Sequence, residues 1–327
     1  MAEQGRRYVA LDFGAESGRT IVGTIADDKL TIEPVHRYPN VPVRMGGTLY
    51  WDFPRQFNDI LDGLRKASAD GPVHSVSVDT WGVDYGYLDA RGRLIGNPVH
   101  YRDARHETMP DEAFKVIPRE ELYMATGIQF MSINTIFQML SEVKAKDPIL
   151  EQADKMLMMP DIFNHFLCGV DVAEYTEATT GQTVDPWTKD WARPVFDRLG
   201  IPTHFLPEIV QPGTELGPLL ADVADATGCK GATVVAGASH DTPSAVAAVP
   251  LAGPSTAYIS SGTWSLVGLE VEDPVVTEAT LEANVTNEGG YGGTITLLKN
   301  CMGLWPVQQS RKALWPGEGA PSYEEIC

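Results

Sequence analysis

Two apolar runs, residues 8–12 and 20–25, flank a stretch of small and polar residues, Gly14-Ala15-Glu16-Ser17-Gly18-Arg19. The runs predict two strands, and the stretch predicts the turn that joins them. Phe57, Ile60, Leu61 and Leu64 then follow the i, i+3, i+4, i+7 spacing of one buried helix face. Residues 73–79 and 83–88 predict two more strands, with a turn at Asp89-Ala90-Arg91-Gly92. The middle third reads as helical. Residues 120–126 predict a helix closed by Gly127. Ile133, Ile136, Phe137, Leu140 and Val143 mark a second helix, and residues 161–168 a third, opening after Pro160 and stopping at Gly169. Residues 181–217 are rich in Pro, Gly and Trp and predict an irregular excursion. Alternation then resumes, with a strand at 233–236, a helix start at 242–248, and strands at 256–259 and 264–269 around Ser260-Ser261-Gly262-Thr263.

That last hairpin repeats the plan of the first: strand, hydroxyl-and-glycine turn, strand. Two such hairpins suggest two units of related architecture, each offering a turn to one ligand. Turns of Ser, Gly and Thr are also common between unrelated strands. Near the end, Ser322-Tyr323-Glu324-Glu325 fits a capping box, which opens a helix. The second unit is therefore expected to stop before it is complete, as a piece or shortened form of a longer chain, unless the capping reading fails.

The length of 327 residues is a soft prior for about two domains. Asp and Glu number 44 against 25 Lys and Arg, a net charge of -19. That argues against nucleic-acid binding and against docking on anionic lipid, both of which need a cationic surplus. It does not exclude an anionic substrate, because one arginine or a bound cation can reverse the field in a cleft. The four cysteines, Cys168, Cys229, Cys301 and Cys327, form no CxxC motif and suggest a reduced protein. No signal-like segment and no run of membrane-spanning length stands out, so the cytoplasm is expected.

Five stretches could carry chemistry. In the opening turn, backbone N–H groups and Ser17 could cradle phosphate, Arg19 could add a charged contact, and Asp12 could hold hydrated Mg²⁺. It is neither a Walker A loop nor a GxGxxG motif, and a plain tight hairpin fits equally. In VVAGASHDTPSAVAA, Asp241 and Thr242 before Pro243 suit an ordinary N-cap. The same geometry would keep Asp241 ionised and able to take a proton from a sugar hydroxyl during phosphoryl transfer. His240 beside it could bind a second hydroxyl. In SVDTWGVDY, Asp79, Thr80, Trp81, Gly82 and Asp84 offer polar groups beside an aromatic wall, as a polyol site requires, or else a β-hairpin packed by Trp81. HYRDARHE reads in isolation as a solvated charge run, and TNEGGYGG with LLKNCMGLW as loop.

The order of LDFGAESGR, DTWGVDY, YRDAR, TGIQF, MPDIF, EYTEATT, SHDT, SSGTWSL, TNEGG and KNCMGLW resembles the FGGY carbohydrate kinases over nearly the whole chain. Within that family it is most similar to the branch that acts on L-rhamnulose. The resemblance implies an α/β, actin-like ATPase fold of two ribonuclease H-like domains, here residues 1–248 and 249–327, with the second incomplete. It implies Mg²⁺ and ATP, and a ketose as acceptor, L-rhamnulose giving its 1-phosphate. L-fuculose, L-ribulose and xylulose remain alternatives, as does a catalytically silent sugar binder. Carried over by position, Ala15, Glu16, Ser17, Gly18 and Arg19 match the first phosphate turn, and Asp12 the acidic residue that organises Mg²⁺. Gly82, His240, Asp241, Thr242 and Asn300 match sugar contacts, with Asp241 the catalytic base. Thr263 and Gln308 match nucleotide contacts. Glu16 departs from the small residue usual there, and a carboxylate beside phosphates must point away or see a cation. Sugar and ATP are the expected partners, with monomer and homodimer both open.

Overall fold

The computed structural model describes residues 5–253, 255–317 and 319–326. Its first sheet grows from the opening hairpin. Strand Arg6–Phe13 buries Val9, Leu11 and Phe13 on alternate positions and pairs antiparallel with Ser17–Ala26. On its other side it runs parallel to Ser75–Asp79, which in turn runs parallel to Thr233–Ala236. Strand Lys29–Pro39 extends one edge and Thr214–Pro218 the other, giving six strands. Helix Phe53–Ala69 lays Ile60 and Leu64 on this sheet, fully buried as their spacing requires. Helix Met159–Cys168 packs there too, with Phe163 stacked 4.8 Å from Phe13 and 5.0 Å from Phe53. A separate core gathers around helices Arg119–Thr126 and Thr135–Ala145 and the paired strands Tyr85–Leu88 and Lys155–Met158.

The second sheet has four antiparallel strands in the order Ala257–Ser261, Trp264–Val271, Ile295–Met302, Thr286–Gly289. Helix Trp305–Leu314 follows it. No helix among the described residues is long and apolar enough to cross a membrane. Ser322 and Glu325 make the expected reciprocal cap on a short helix, Tyr323–Ile326. Cys168, Cys229 and Cys301 are unpaired thiols, and Cys327 lies outside the described residues.

Several expectations need correction. Strand Lys29–Pro39 was not foreseen. The excursion at 181–217 contains a helix, Arg193–Leu199, and the edge strand Thr214–Pro218. Strands Ser75–Asp79 and Tyr85–Leu88 do not form a hairpin, because each pairs elsewhere, the first in the main sheet and the second with Lys155–Met158. HYRDARHE is not a solvated run, since His100, Asp103 and His106 are buried. Thr286–Gly289 is a fully buried strand rather than loop.

Candidate functional site

Parallel pairing of Arg6–Phe13 with Ser75–Asp79 sets Asp12 beside Asp79 at the same end of neighbouring strands. Thr80 bridges His240 in parallel, and Asp241 N–H donates to the Thr80 carbonyl at 2.9 Å. The chain thus delivers Asp12, Asp79 and Asp241 to one edge of the sheet. Burial raises the Asp79 carboxyl well above its ordinary range, and the charges of Asp12 and Asp241 raise it further against the pull of Arg19. Arg19 is ion-paired to Asp12 at this edge. Among the described residues these three side chains do not bring their oxygens close enough together to share an ion directly, so Asp12 would engage a divalent cation through the ion's own water shell.

Asp241 opens helix Asp241–Ala248, and the N-cap position belongs to His240. The N-cap alternative for Asp241 therefore fails, and its carboxylate is left for other work. Oδ1 accepts from Thr242 Oγ1 at 3.1 Å and lies 3.4 Å from His240 Nε2. Burial raises the Asp241 carboxyl, Asp12 and Glu288 add to the rise, and His240 and Thr242 pull against it. The side chain remains 42% exposed, so it is open to a ligand. The loop before it is held by Glu174, whose Oε2 accepts from Ser239 N–H at 3.0 Å and Thr176 Oγ1 at 2.5 Å. Thr176 Oγ1 in turn accepts from His240 N–H at 3.2 Å.

The opening turn closes with Gly14 N–H donating to the Ser17 carbonyl at 3.0 Å. Asn40 braces it, donating from Nδ2 to the Gly14 carbonyl and from N–H to the Glu16 carbonyl. Gly18 is obligatory for a reason internal to the fold: a Cβ there would stand 2.2 Å from the Tyr38 ring. Ala15 packs against the core. Glu16 turns toward Lys312, 3.5 Å away. At the second hairpin, Thr263 Oγ1 accepts from Gln308 Nε2 at 3.4 Å. Gln308 and Lys312 lie one turn apart on helix Trp305–Leu314. One helix therefore touches both turns. A cavity of ≈ 380 Å³ opens beside it, lined by Arg311, Lys312, Trp315 and Gly317 among others.

Gly82 leaves room for Thr180 rather than only for a ligand, since a Cβ would meet Thr180 Cγ2 at 2.9 Å. Next to it, the Asp84 carboxylate accepts from Trp51 Nε1, Trp81 Nε1, Tyr101 N–H and Gln138 Nε2 at 2.6–3.1 Å. Burial pushes Asp84 up to about 6 despite these donors. Asp84 thus anchors the wall of the site. Asn300 sits within strand Ile295–Met302, where Gln129 Oε1 accepts its N–H at 2.9 Å and its Nδ2 at 3.3 Å. Asn40, Gln129, Glu174 and Lys312 were not foreseen as site-builders. Gln129 and Glu174 lie in motifs quoted above, whereas Asn40 carries no local signal. His36, Asp59 and Asp62 form a second cluster of metal-ligating types, on strand Lys29–Pro39 and helix Phe53–Ala69. Each already faces its own cation, Lys66, Arg55 and Arg65 respectively.

The chain is 41% identical to a rhamnulokinase of Bacteroides thetaiotaomicron over 322 residues, 98% of this chain and 66% of that protein. It is 40% identical to a rhamnulokinase of Pectobacterium carotovorum over 93% of this chain and 61% of that protein. It thus spans just under two thirds of the length of these curated relatives. Among solved structures, xylulose kinase from Lactobacillus acidophilus superposes with a TM-score of 0.83 at 17% identity, covering 95% of this chain and 63% of that one. Plasmodium falciparum glycerol kinase with ADP gives 0.79 at 13% identity, covering 95% and 64%. These likenesses show the actin-like ATPase fold that the resemblance implied. Residues 7–248 match the N-terminal domain of the FGGY family of carbohydrate kinases, and the chain belongs to that family.

Proposed function

We propose that this chain carries the sugar site and first phosphate turn of a cytoplasmic ATP-dependent ketose kinase, with L-rhamnulose the foremost acceptor and its 1-phosphate the product. The two units divide near residue 248. The observation that supports this best is the placing of Asp241, accessible and preceded by His240, on the sheet edge that also carries Asp12. The rhamnulokinase relatives support the choice of sugar.

In this reading the ketose lies against Gly82, His240, Thr242 and Asn300. Asp241 takes the proton of the attacking hydroxyl as that oxygen bonds to the γ-phosphorus and the bond to the ADP oxygen breaks. A carboxylate raised above its usual pKa is the better proton acceptor while it stays ionised at neutral pH. N–H groups of residues 15–19, with Arg19, Thr263 and Gln308, hold the nucleotide. Asp12 would hold Mg²⁺, which when bound neutralises phosphate charge. Exclusion of water by closure of the cleft would keep ATP from hydrolysis.

Ketose-dependent ADP release with Mg²⁺·ATP tests this, using L-rhamnulose, L-fuculose, L-ribulose and xylulose. Release with L-rhamnulose, abolished in Asp241→Asn, is the expected outcome. Turnover in Asp241→Asn above a few per cent of wild type would sink the base assignment. The second reading is sugar binding without transfer. Calorimetric sugar binding without ADP release would establish it.

A further inference from the structure

We propose that Arg102 is a latch, the side chain that fastens the turn end of the second sheet to the region of the six-stranded sheet. Its guanidinium carbon lies 5.1 Å from the Tyr101 ring centre, 5.4 Å from that of Trp305 and 5.8 Å from that of Trp264. All three distances fall inside the roughly 6 Å over which a ring face attracts a cation. Tyr101 belongs to the core of the first sheet. Trp264 opens strand Trp264–Val271, and Trp305 opens helix Trp305–Leu314. One cation therefore touches rings from both parts of the molecule. In a chain with 44 acidic residues against 25 basic ones, an arginine readily meets a carboxylate. Among the described residues Arg102 is in no ion pair, and aromatic rings surround it instead.

Both sides of the contact are held by their own backbone. Tyr101 N–H donates to Asp84 Oδ2 at 3.1 Å, and Arg102 N–H donates to His100 Nδ1 at 2.9 Å. The His100 ring stacks 4.0 Å from Trp51 in the core. On the far side, the Gly262 and Thr263 carbonyls accept from Leu304 and Trp305 N–H at 2.9 and 3.2 Å. Gly303 lets these segments close, because a Cβ there would stand 2.5 Å from the Trp264 carbonyl carbon. Trp264 and Trp305 are thereby presented as a pair.

The remaining polar ties hold other parts of the second sheet. Gln129 meets Asn300, Gly127 meets Asn287 and Thr179 meets Gly289, all on the inner strands Ile295–Met302 and Thr286–Gly289. At the turn of the outer hairpin the first region is met by Arg102. The planar guanidinium can lie over several rings at once, whereas a lysine ammonium is a single hydrated point charge. Thr263 adjoins Trp264, and Gln308 lies one turn beyond Trp305, so the latch also sets where these two residues stand. Its bearing on nucleotide rests on the functional reading of Thr263 and Gln308; the latch itself does not.

Hydrogen exchange followed by mass spectrometry tests this on the whole chain. In Arg102→Ala, amides of residues 257–271 and 305–314 are expected to exchange about 3–30-fold faster, in the range of two lost cation–ring contacts. Residues 6–13 and 75–79 should stay unchanged. Arg102→Lys keeps the charge without the flat stacking and should fall between wild type and Arg102→Ala. Trp305→Leu opens the contact from the other side and should speed the same segments. Combining it with Arg102→Ala should add less than about twofold to the larger single effect, because the contact is already gone. Exchange accelerated less than about threefold in Arg102→Ala, or effects that multiply in the double variant, would overturn the latch. The functional reading fails separately: absence of ketose-dependent ADP release from the wild-type chain leaves the exchange result as measured.

Discussion

The two sheets of this molecule are stabilised very differently. The region of the six-stranded sheet buries two large apolar clusters, one on that sheet holding Trp51, Phe13, Phe163 and Leu64, and a separate one beside it holding Tyr175, Phe137, Phe196 and Phe205. The four-stranded sheet, among the described residues, buries a cluster of only Tyr258, Leu266 and Leu298 with Val246. Helix Trp305–Leu314 has no buried residue, and Ile259, Met302, Leu314 and Trp315 are exposed. Apolar burial is the main stabiliser of a fold. The first region can therefore stand by its own packing, while the second leans on polar contacts to it, such as Gln129 with Asn300 and Asn287 with Gly127. Asp241 accordingly lies beside the well-packed region, whereas Asn300 and the Thr263–Gln308 contact rest on a thinly covered sheet.

Core truncation should show the largest asymmetry. Phe163→Ala removes a fully buried ring stacked on two others. It is expected to cost about 3–5 kcal/mol by chemical denaturation. Leu314→Ala, at a side chain 67% exposed, is expected to cost no more than about 0.5 kcal/mol. Comparable losses at both positions would mean that the second region is better packed than its burial indicates.

A smaller effect is expected at the glycine that lets the opening hairpin lie on Tyr38. Gly18→Ala would drive a methyl into that ring. Overpacking of this kind costs about 1–3 kcal/mol. Gly262→Ala in the matching turn of the second sheet meets its nearest atom at 3.9 Å. It should leave thermal stability nearly unchanged. Equal tolerance in the two turns would erase the distinction between them.

The buried carboxylates of the first region also give a pH signature. Burial raises Glu174 to about 7, and raises Glu177, Asp161 and Asp79 well above their ordinary values. Such groups bind protons in the folded chain that the unfolded chain has already released. Their stabilisation is complete at low pH and is lost as pH rises through the folded pKa. His165 and His240, also raised, act in the same direction above 6.5. His36, His100 and His106 are lowered by burial and oppose only as pH falls below 6.5. The melting temperature should therefore climb as pH is brought from 8 to 6.5, by about 2–4 °C per kcal/mol gained. A flat or falling curve over that window would show that these carboxylates are solvated.

How much of this was legible in sequence follows the same division. Ile60 and Leu64, and the strand with Val9, Leu11 and Phe13, were readable because each buries a regular face on its own sheet. Strand Lys29–Pro39 was not, because residues 29–34 are all exposed and leave no alternation to detect. His100, Asp103 and Thr286–Gly289 read as surface or loop because they are polar, and what buries them is distant in the chain. Asp103 accepts from Leu49 N–H, and Gly289 is held by Thr179, 110 residues away. At the site, Asp241 and the two turns were legible as motifs. The Arg102–Trp264 contact was not, because no spacing rule links a turn to a strand of another sheet.

The smallest expected effect lies where the two regions meet. Lys312 faces Glu16 at 3.5 Å, both side chains largely solvated, so the pair should add little to stability. Its consequence should instead appear in nucleotide affinity. Lys312→Ala leaves the Glu16 carboxylate unopposed next to the turn proposed to hold phosphate. ATP binding, measured by calorimetry, is expected to weaken about 2–5-fold, in the range of one exposed charge pair. Glu16→Ala in the same background should recover most of that loss, because the repelling charge is gone. If the double variant binds no better than Lys312→Ala, Lys312 acts on the nucleotide directly and not by restraining Glu16. If neither change alters affinity while melting is unaffected, the helix that touches both turns does not belong to the nucleotide site.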